Sequence, residues 1–358
     1  MYSIWRYREL LPVPEDLRSV ISLGEGCTPL IRLSYIEELT DTARVYVKFE
    51  GCNPTGSFKD RGMSLAVTLA RGIGCKYYIV ASTGNTAASA SAYVANAGGR
   101  CIILIPHGYT ALGKLAQALL HGAFVIEVKG LFDDALAKIF TLLDHMNLYP
   151  LNSINPWRLE GQKTIAFEIA EELGDSVDWI IVPVGNAGNI YAIGKGFLEL
   201  YLIGLINKLP RIAGIQASGA NPLVRMWSKG LDKPEFIDEP CTIASAVKIG
   251  RPVNWMKAVK IVRMLDGLFI DVSDDEILYA QKILARCGVG VEPAGAVSIA
   301  GLFKLRKLDV ISRSENVVCI ATGHALKDPE IILSRYSSNR IIAELDDVES
   351  IIYEVLRG

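Results

Sequence analysis

Lys59 stands between a turn-forming segment, Asn53-Pro54-Thr55-Gly56-Ser57-Phe58, and a run from Asp60 in which charged and apolar residues alternate. That setting places the amine where a loop enters a helix. A lysine amine condenses with carbonyl compounds, and burial lowers its pKa toward the range useful for proton transfer. A helix start adds free backbone N–H groups that can receive an anion. The competing reading is an exposed lysine paired with Asp60, the ordinary fate of this residue type. Three loops and a crossover farther along the chain favour the chemical reading.

The first loop, Ser82-Thr83-Gly84-Asn85-Thr86, follows an apolar run ending at Ala81 and leads into Ala87-Ala88-Ser89-Ala90-Ser91-Ala92. An ordinary N-cap explains one small polar residue. Five in a row offer several converging donors, suited to a carboxylate at the positive end of a helix. The second loop, Gly185-Asn186-Ala187-Gly188-Asn189, has two glycines that let successive N–H groups turn inward around a phosphate. It is neither the G-x-G-x-x-G fingerprint nor a Walker loop, and a plain strand-to-helix turn is the alternative.

The third loop, Thr322-Gly323-His324-Ala325-Leu326-Lys327-Asp328, puts a hydroxyl at the end of an apolar strand. His324 is open between a general base and a structural histidine. A crossover supplies Asn152, Ser153 and Arg158; an arginine with two neutral donors matches a phosphate monoester, although Arg158 could instead cap a helix.

Alternating β-rich and helical runs must carry these loops. Strands are expected at Val45–Glu50, Tyr77–Ala81, Cys101–Pro106, Phe124–Val128, Trp179–Val184, Ile212–Ala217, Phe269–Val272 and Val317–Ala321. Helices are expected at Gly62–Arg71, Thr86–Ala97, Ala111–His121, Asp133–His145, Glu160–Leu173, Ile190–Leu205, Asp274–Arg286 and Gly295–Leu308. Apolar strands separated by helices signal an α/β protein whose mostly parallel, open, twisted sheets are covered on both faces, with ligands beyond the strands' carboxyl ends. Length argues for two lobes. We expect residues 55–145 as a small mobile lobe, 1–54 with 146–335 as a large lobe, and 336–358 as a peripheral C-terminal segment.

Half of the 358 residues are hydrophobic, 21% are charged and the net charge is −2, a soluble-enzyme composition without a basic surface for nucleic acid. The seven cysteines show no C-x-x-C pair and no histidine at ligand spacing, so neither a disulfide frame nor a metal site is expected. Cys101 and Cys319 lie in strand-like runs as small hydrophobes. Met1 to Asp16 lacks the apolar core of a signal peptide, and no run of eighteen apolar residues spans a membrane. The expected compartment is the cytoplasm.

With Lys59, the Ser82–Thr86 loop, the Gly185–Asn189 loop and Thr322 in this order, the chain resembles pyridoxal-phosphate enzymes of fold type II, the tryptophan-synthase-β group. Within that group it is similar to the threonine synthase family. The resemblance runs from Gly24-Glu25-Gly26-Cys27-Thr28-Pro29-Leu30 to Asp328. Its most specific parts are Asn53–Gly62, Asn152–Arg158 and the segment Thr242-Ile243-Ala244-Ser245-Ala246-Val247-Lys248-Ile249-Gly250-Arg251-Pro252-Val253-Asn254-Trp255. Ser245 and Ala325 depart from the usual threonine and glycine.

The resemblance implies two lobes with pyridoxal 5'-phosphate in the cleft between them and Lys59 as the catalytic, cofactor-bearing amine. It implies Asn85 on the cofactor's phenolic oxygen, Gly185, Asn186, Ala187, Gly188 and Asn189 on its phosphate, and Thr322 on its pyridine nitrogen. A hydroxyl there leaves that nitrogen largely unprotonated. Ser82, Thr83, Asn85 and Thr86 would hold the substrate carboxylate. Thr86, Asn152, Ser153, Arg158, Lys59 and Asn186 would surround its phosphate. The implied reaction is the conversion of O-phospho-L-homoserine and water to L-threonine and phosphate, by a homodimer. The rival readings are an O-phosphoserine-using synthase such as cysteate synthase, a threonine or serine dehydratase, and a silent relative that binds ligand without catalysis. One methylene separates the two phosphorylated substrates, worth only about 1–3 kcal/mol of discrimination.

Overall fold

Runs rich in Val and Ile become strands, and these assemble into two sheets. In the computed structural model, residues 3–13, 19–108, 112–129, 132–336 and 340–357 are described. The strands are β1 (Leu30–Arg32), β2 (Arg44–Phe49), β3 (Tyr77–Ala81), β4 (Arg100–Pro106), β5 (Phe124–Val128), β6 (Tyr149–Pro150), β7 (Trp179–Pro183), β8 (Arg211–Ala217), β9 (Leu268–Val272) and β10 (Asn316–Ala321). One sheet runs β1-β2-β10-β7-β8-β9 and the other β5-β4-β3-β6. The β1–β2 pairing is antiparallel, and the remaining pairings between these strands are parallel.

The helices are α1 (Ser34–Thr40), α2 (Lys59–Gly72), α3 (Asn85–Asn96), α4 (Leu112–Leu120), α5 (Phe132–Leu143), α6 (Pro156–Gln162) and α7 (Thr164–Leu173). They continue as α8 (Gly188–Leu202), α9 (Pro222–Lys229), α10 (Trp255–Met264), α11 (Asp274–Arg286), α12 (Pro293–Lys307), α13 (Pro329–Tyr336) and α14 (Val348–Arg357). The eight expected strands form, with bounds shifted by a residue at most.

Four differences from the sequence reading have local causes. α2 begins at Lys59 itself rather than at Gly62, so the amine lies in the first helical turn. The helix expected over 160–173 becomes α6 and α7, with α6 opened by Pro156 and by Asn155, whose side chain accepts from the Trp157 amide. β1, β6, α1, α9 and α10 were not anticipated; none of them is longer than ten residues. β6 pairs with β3, so the four-stranded sheet takes a strand from beyond residue 145. The expected start of a helix at Ala111 lies outside the described residues.

α2 joins the two cores. Its Leu65 packs with Ile180, Val182 and Phe197 under the six-stranded sheet, while Met63, Ala66, Val67 and Ala70 pack with Tyr78, Val80 and Ile103 of the four-stranded one. α2 and α6 cross in backbone contact. A Cβ on Gly161 would stand 2.1 Å from the Arg61 carbonyl oxygen, and one on Gly62 would stand 2.7 Å from that of Arg158. Only glycine fits such a crossing.

Arg61, 0% exposed, holds the same region electrostatically. Its guanidinium donates to Glu50 at 2.7 Å and to Glu168 at 2.6 and 2.8 Å. Burial opposes ionisation of Glu168, but Arg61 and Lys48 outweigh it and hold that pKa down at about 2.

Candidate active site

Lys59, Asn85, Ser153, Arg158, Gly185, Asn186, Ala187, Gly188, Asn189 and Thr322 line one narrow cavity of about 50 Å³, together with Phe58, Gln162 and Glu292. A larger groove of about 620 Å³ crosses the outer face of α1, α11 and α12, but its charged residues Asp275, Glu276 and Lys307 are exposed to solvent, where their chemistry is that of ordinary surface groups. Chemistry, not size, distinguishes the two.

Each wall follows from the fold. The loops after β7 and β10 leave the carboxyl ends of parallel strands, where a sheet of this kind opens its crevice. The Gly185–Asn189 loop starts α8, and Ala187 adopts φ +62° there, a left-handed conformation costly for a residue with a Cβ. Its N–H groups therefore open toward the cavity end of a fifteen-residue helix. Thr322 is tied across by its carbonyl oxygen, which accepts from the Phe58 amide at 3.2 Å, and an isolated bridge pairs Ser57 with Gly323. The β10 loop is thus fastened directly to the segment that carries Lys59.

Lys59 is not paired with Asp60. Asp60 instead receives the Thr55 amide at 2.7 Å, the Thr55 hydroxyl at 2.6 Å and the Ser89 hydroxyl at 2.5 Å, while burial raises its pKa to about 6. The Lys59 ammonium lies 4.1 Å from the centre of the Phe58 ring, and no ion pair holds it among the described residues. The residue is half-buried and lines the cavity. Burial, with repulsion from Arg158, lowers its pKa to about 7, against a weaker pull upward from Glu292.

Arg158 is the second unbalanced cation. It is 1% exposed, donates one bond to the Leu151 carbonyl at 3.1 Å and leaves its Nε without a partner; burial lowers its pKa to about 10. Further unpartnered buried atoms belong to residues that line the same cavity: both polar atoms of Asn189 and Asn85 Oδ1. Buried polar groups without partners are rare enough to mark a place where a ligand belongs.

Other expected residues stand back from the wall. Ser82, Thr83 and Thr86 surround the start of α3, part-exposed, and Ser82 Oγ accepts from the Gly84 amide. Asn152 is spent on the backbone: its Oδ1 accepts from the Ala81 amide at 3.1 Å and its Nδ2 donates to the Ala81 carbonyl at 2.9 Å. His324 is structural, its Nδ1 accepting from the Leu326 amide and its ring stacked on Phe49.

Glu292 was missed by the sequence reading. It is fully buried, lines the cavity and accepts from Asn85 Nδ2 at 2.7 Å. In sequence it is only the residue before a helix-opening proline, an ordinary signal.

The family model described as pyridoxal-phosphate dependent enzyme matches residues 21–323. Threonine synthase of Methanocaldococcus jannaschii is 52% identical over 96% of this chain and 85% of its own length. That of Methanosarcina acetivorans is 49% identical over 98% and 87%, and that of Halalkalibacterium halodurans 46% over 96% and 96%. Among solved structures, maize serine racemase superposes with a TM-score of 0.74 at 23% identity, covering 87% of this chain and 92% of that one. A Rhizomucor miehei L-serine ammonia-lyase gives 0.75 at 21%, covering 88% and 99%. At such low identity these structures speak for the fold alone.

Proposed function

The chain belongs to the family of pyridoxal-phosphate-dependent enzymes, and from that premise we propose that it converts O-phospho-L-homoserine and water to L-threonine and phosphate. It is a carbon–oxygen lyase acting on a phosphorylated amino acid. The observation that carries the reading is the pair Lys59, half-buried, and Arg158, fully buried, lining one cavity with no acidic side chain in an ion pair with either among the described residues. Buried cations left in this way call for anions.

The residues present fit the cofactor. Its phosphate matches the N–H groups of the Gly185–Asn189 loop and the unpartnered amide of Asn189, and its ring oxygen matches Asn85. Thr322 would face the pyridine nitrogen, and Lys59 would hold the aldehyde carbon. When bound, the cofactor supplies an electron sink that lets protons leave carbon and lets phosphate depart from the γ position.

This chain's residues supply the rest. Lys59, with its pKa near 7, is suited both to accept and to return protons, so a single amine can serve successive transfers. Arg158 and the Ser153 segment would hold the substrate phosphate and the phosphate released from it. Asn152, by bonding Ala81 at both ends, fixes the strand end from which the Ser82–Thr86 loop departs toward the substrate carboxylate. Phe58 and Leu159 wall the cavity against water.

The lobes of the proposal are residues 55–145, together with β6 that joins their sheet, moving against 1–54 with the rest of 146–335, and a peripheral segment from 336. The reading also includes a cytoplasmic homodimer. No described helix is long and apolar enough to cross a membrane, and light scattering tests the dimer. The deciding experiment is phosphate release by the purified holoenzyme from O-phosphohomoserine and from O-phosphoserine, with amino-acid products identified. Threonine from the former is expected; turnover of phosphoserine alone would overturn the substrate assignment.

A further inference from the structure

Lys114, on α4 beside the four-stranded sheet, is 1% exposed, yet its ammonium reaches across to three elements of the other sheet's surroundings. It lies 2.8 Å from Asp328 Oδ1, 3.1 Å from Glu292 Oε2 and 2.9 Å from Ser245 Oγ, and that hydroxyl donates to Asp328 Oδ2 at 3.0 Å. Ser245 is thus part of this junction. Lys327, the residue before Asp328, adds a second tie, donating to the Thr55 carbonyl at 2.8 Å and to Gln117 of α4.

Glu292 connects the junction to the cavity. Its Oε1 accepts from Asn85 Nδ2 at 2.7 Å, and a carboxylate can only accept. The amide of Asn85 is therefore held with nitrogen, not oxygen, toward Glu292. A flipped amide would set two acceptors against each other. The second N–H of Nδ2 stays available to the cavity that Asn85 lines. Buried as fully as it is, Glu292 needs a counter-charge, and Lys114 supplies one. Burial disfavours the Lys114 charge, but Glu292 and Asp328 outweigh that and leave its pKa raised.

We propose that Lys114 is a positioning residue for the cofactor site: through Glu292 it fixes the amide of Asn85 with an N–H toward the cofactor's ring oxygen. Contact between α4 and the Asp328 loop thereby sets a hydrogen bond on the far side of the cavity. The inference rests on the reading of Asn85 given above.

The test measures equilibrium binding of pyridoxal 5'-phosphate to the apoprotein and the pH dependence of the bound cofactor's visible absorbance. The variants are Lys114→Met, Lys114→Arg, Asn85→Ala and the double variant Lys114→Met with Asn85→Ala. Far-UV circular dichroism confirms folding, and Ser245→Ala serves as a milder probe of the junction. Lys114→Met is expected to weaken cofactor binding about tenfold and to shift the absorbance titration, with Lys114→Arg recovering much of both. The double variant should be no worse than Asn85→Ala alone, because one residue acts through the other. An unchanged affinity and titration in folded Lys114→Met, or additive losses in the double variant, would overturn the inference while leaving Asn85 in place. An Asn85→Ala protein with unaltered spectrum would instead overturn the reading of Asn85 and the inference with it.

Discussion

Arg61 and Arg158 are both fully buried arginines on helices that touch, yet their surroundings are opposite. Arg61 spends its fork on Glu50 and Glu168 and reaches the hydroxyls of Thr28 and Thr164. Arg158 has one carbonyl and an idle Nε. A satisfied buried charge fixes conformation; an unsatisfied one, held in place by the rest of the fold, is kept for something that comes and goes. Within a single turn of α2 the same division recurs, with Lys59 unpaired, Asp60 capped by hydroxyls and Arg61 paired.

The largest effect should come from Lys59→Ala, which removes the unpaired amine. Turnover is expected to fall by at least about 10³-fold, with the holoenzyme's visible colour lost, while far-UV circular dichroism shows the fold retained. Residual colour with activity would break the comparison at its centre. Arg61→Met should do the reverse. Stranding Glu50 and Glu168 costs about 3–5 kcal/mol in urea unfolding, without any specific change in KM for the fraction that folds. Arg158→Met should leave stability level or slightly improved and raise KM for the phosphorylated substrate about a hundredfold, roughly 3 kcal/mol.

The smallest and sharpest effect is a pH dependence of the apoprotein. The Lys59 pKa is lowered from 10.5 to about 7, so its neutral form is favoured by folding. Above pH 10.5 both states are neutral and nothing is lost; as pH falls toward 7 the unfolded chain gains a proton that the folded one resists. Lys59→Met should therefore match wild type at high pH and become more stable by about 2 kcal/mol near pH 7, after a discount for water reaching the cavity. Urea midpoints across that range measure it, and parallel curves for the two proteins would show that the amine is solvated.

How much of this could be read from the chain depends on sequence distance. The strands were plain because β7 and β10 are continuous apolar runs. The loops at 82, 185 and 322 were plain because small polar residues stand where such runs stop. Arg158 and Ser153 share the wall with Lys59, as their residue types suggested. The bonds between Asn152 and Ala81 left no sign in the sequence, because that pairing depends on β6 extending the small sheet, and a two-residue strand leaves no periodic trace. The Lys114–Glu292–Asn85 relay was invisible for a related reason. Asn85 and Glu292 lie 207 positions apart, and only the meeting of the sheets makes them neighbours.

The glycine crossing of α2 and α6 has a consequence for how the site tolerates change. With Arg61 and Arg158 backbone in the space a methyl group would take, main-chain contact sets how closely α2 and α6 approach, and with it the spacing of the backbone that carries Lys59 and Arg158. A single added carbon at position 161 would meet the Arg61 carbonyl and force the helices apart, so the same change disturbs the packing and the placement of both cations together.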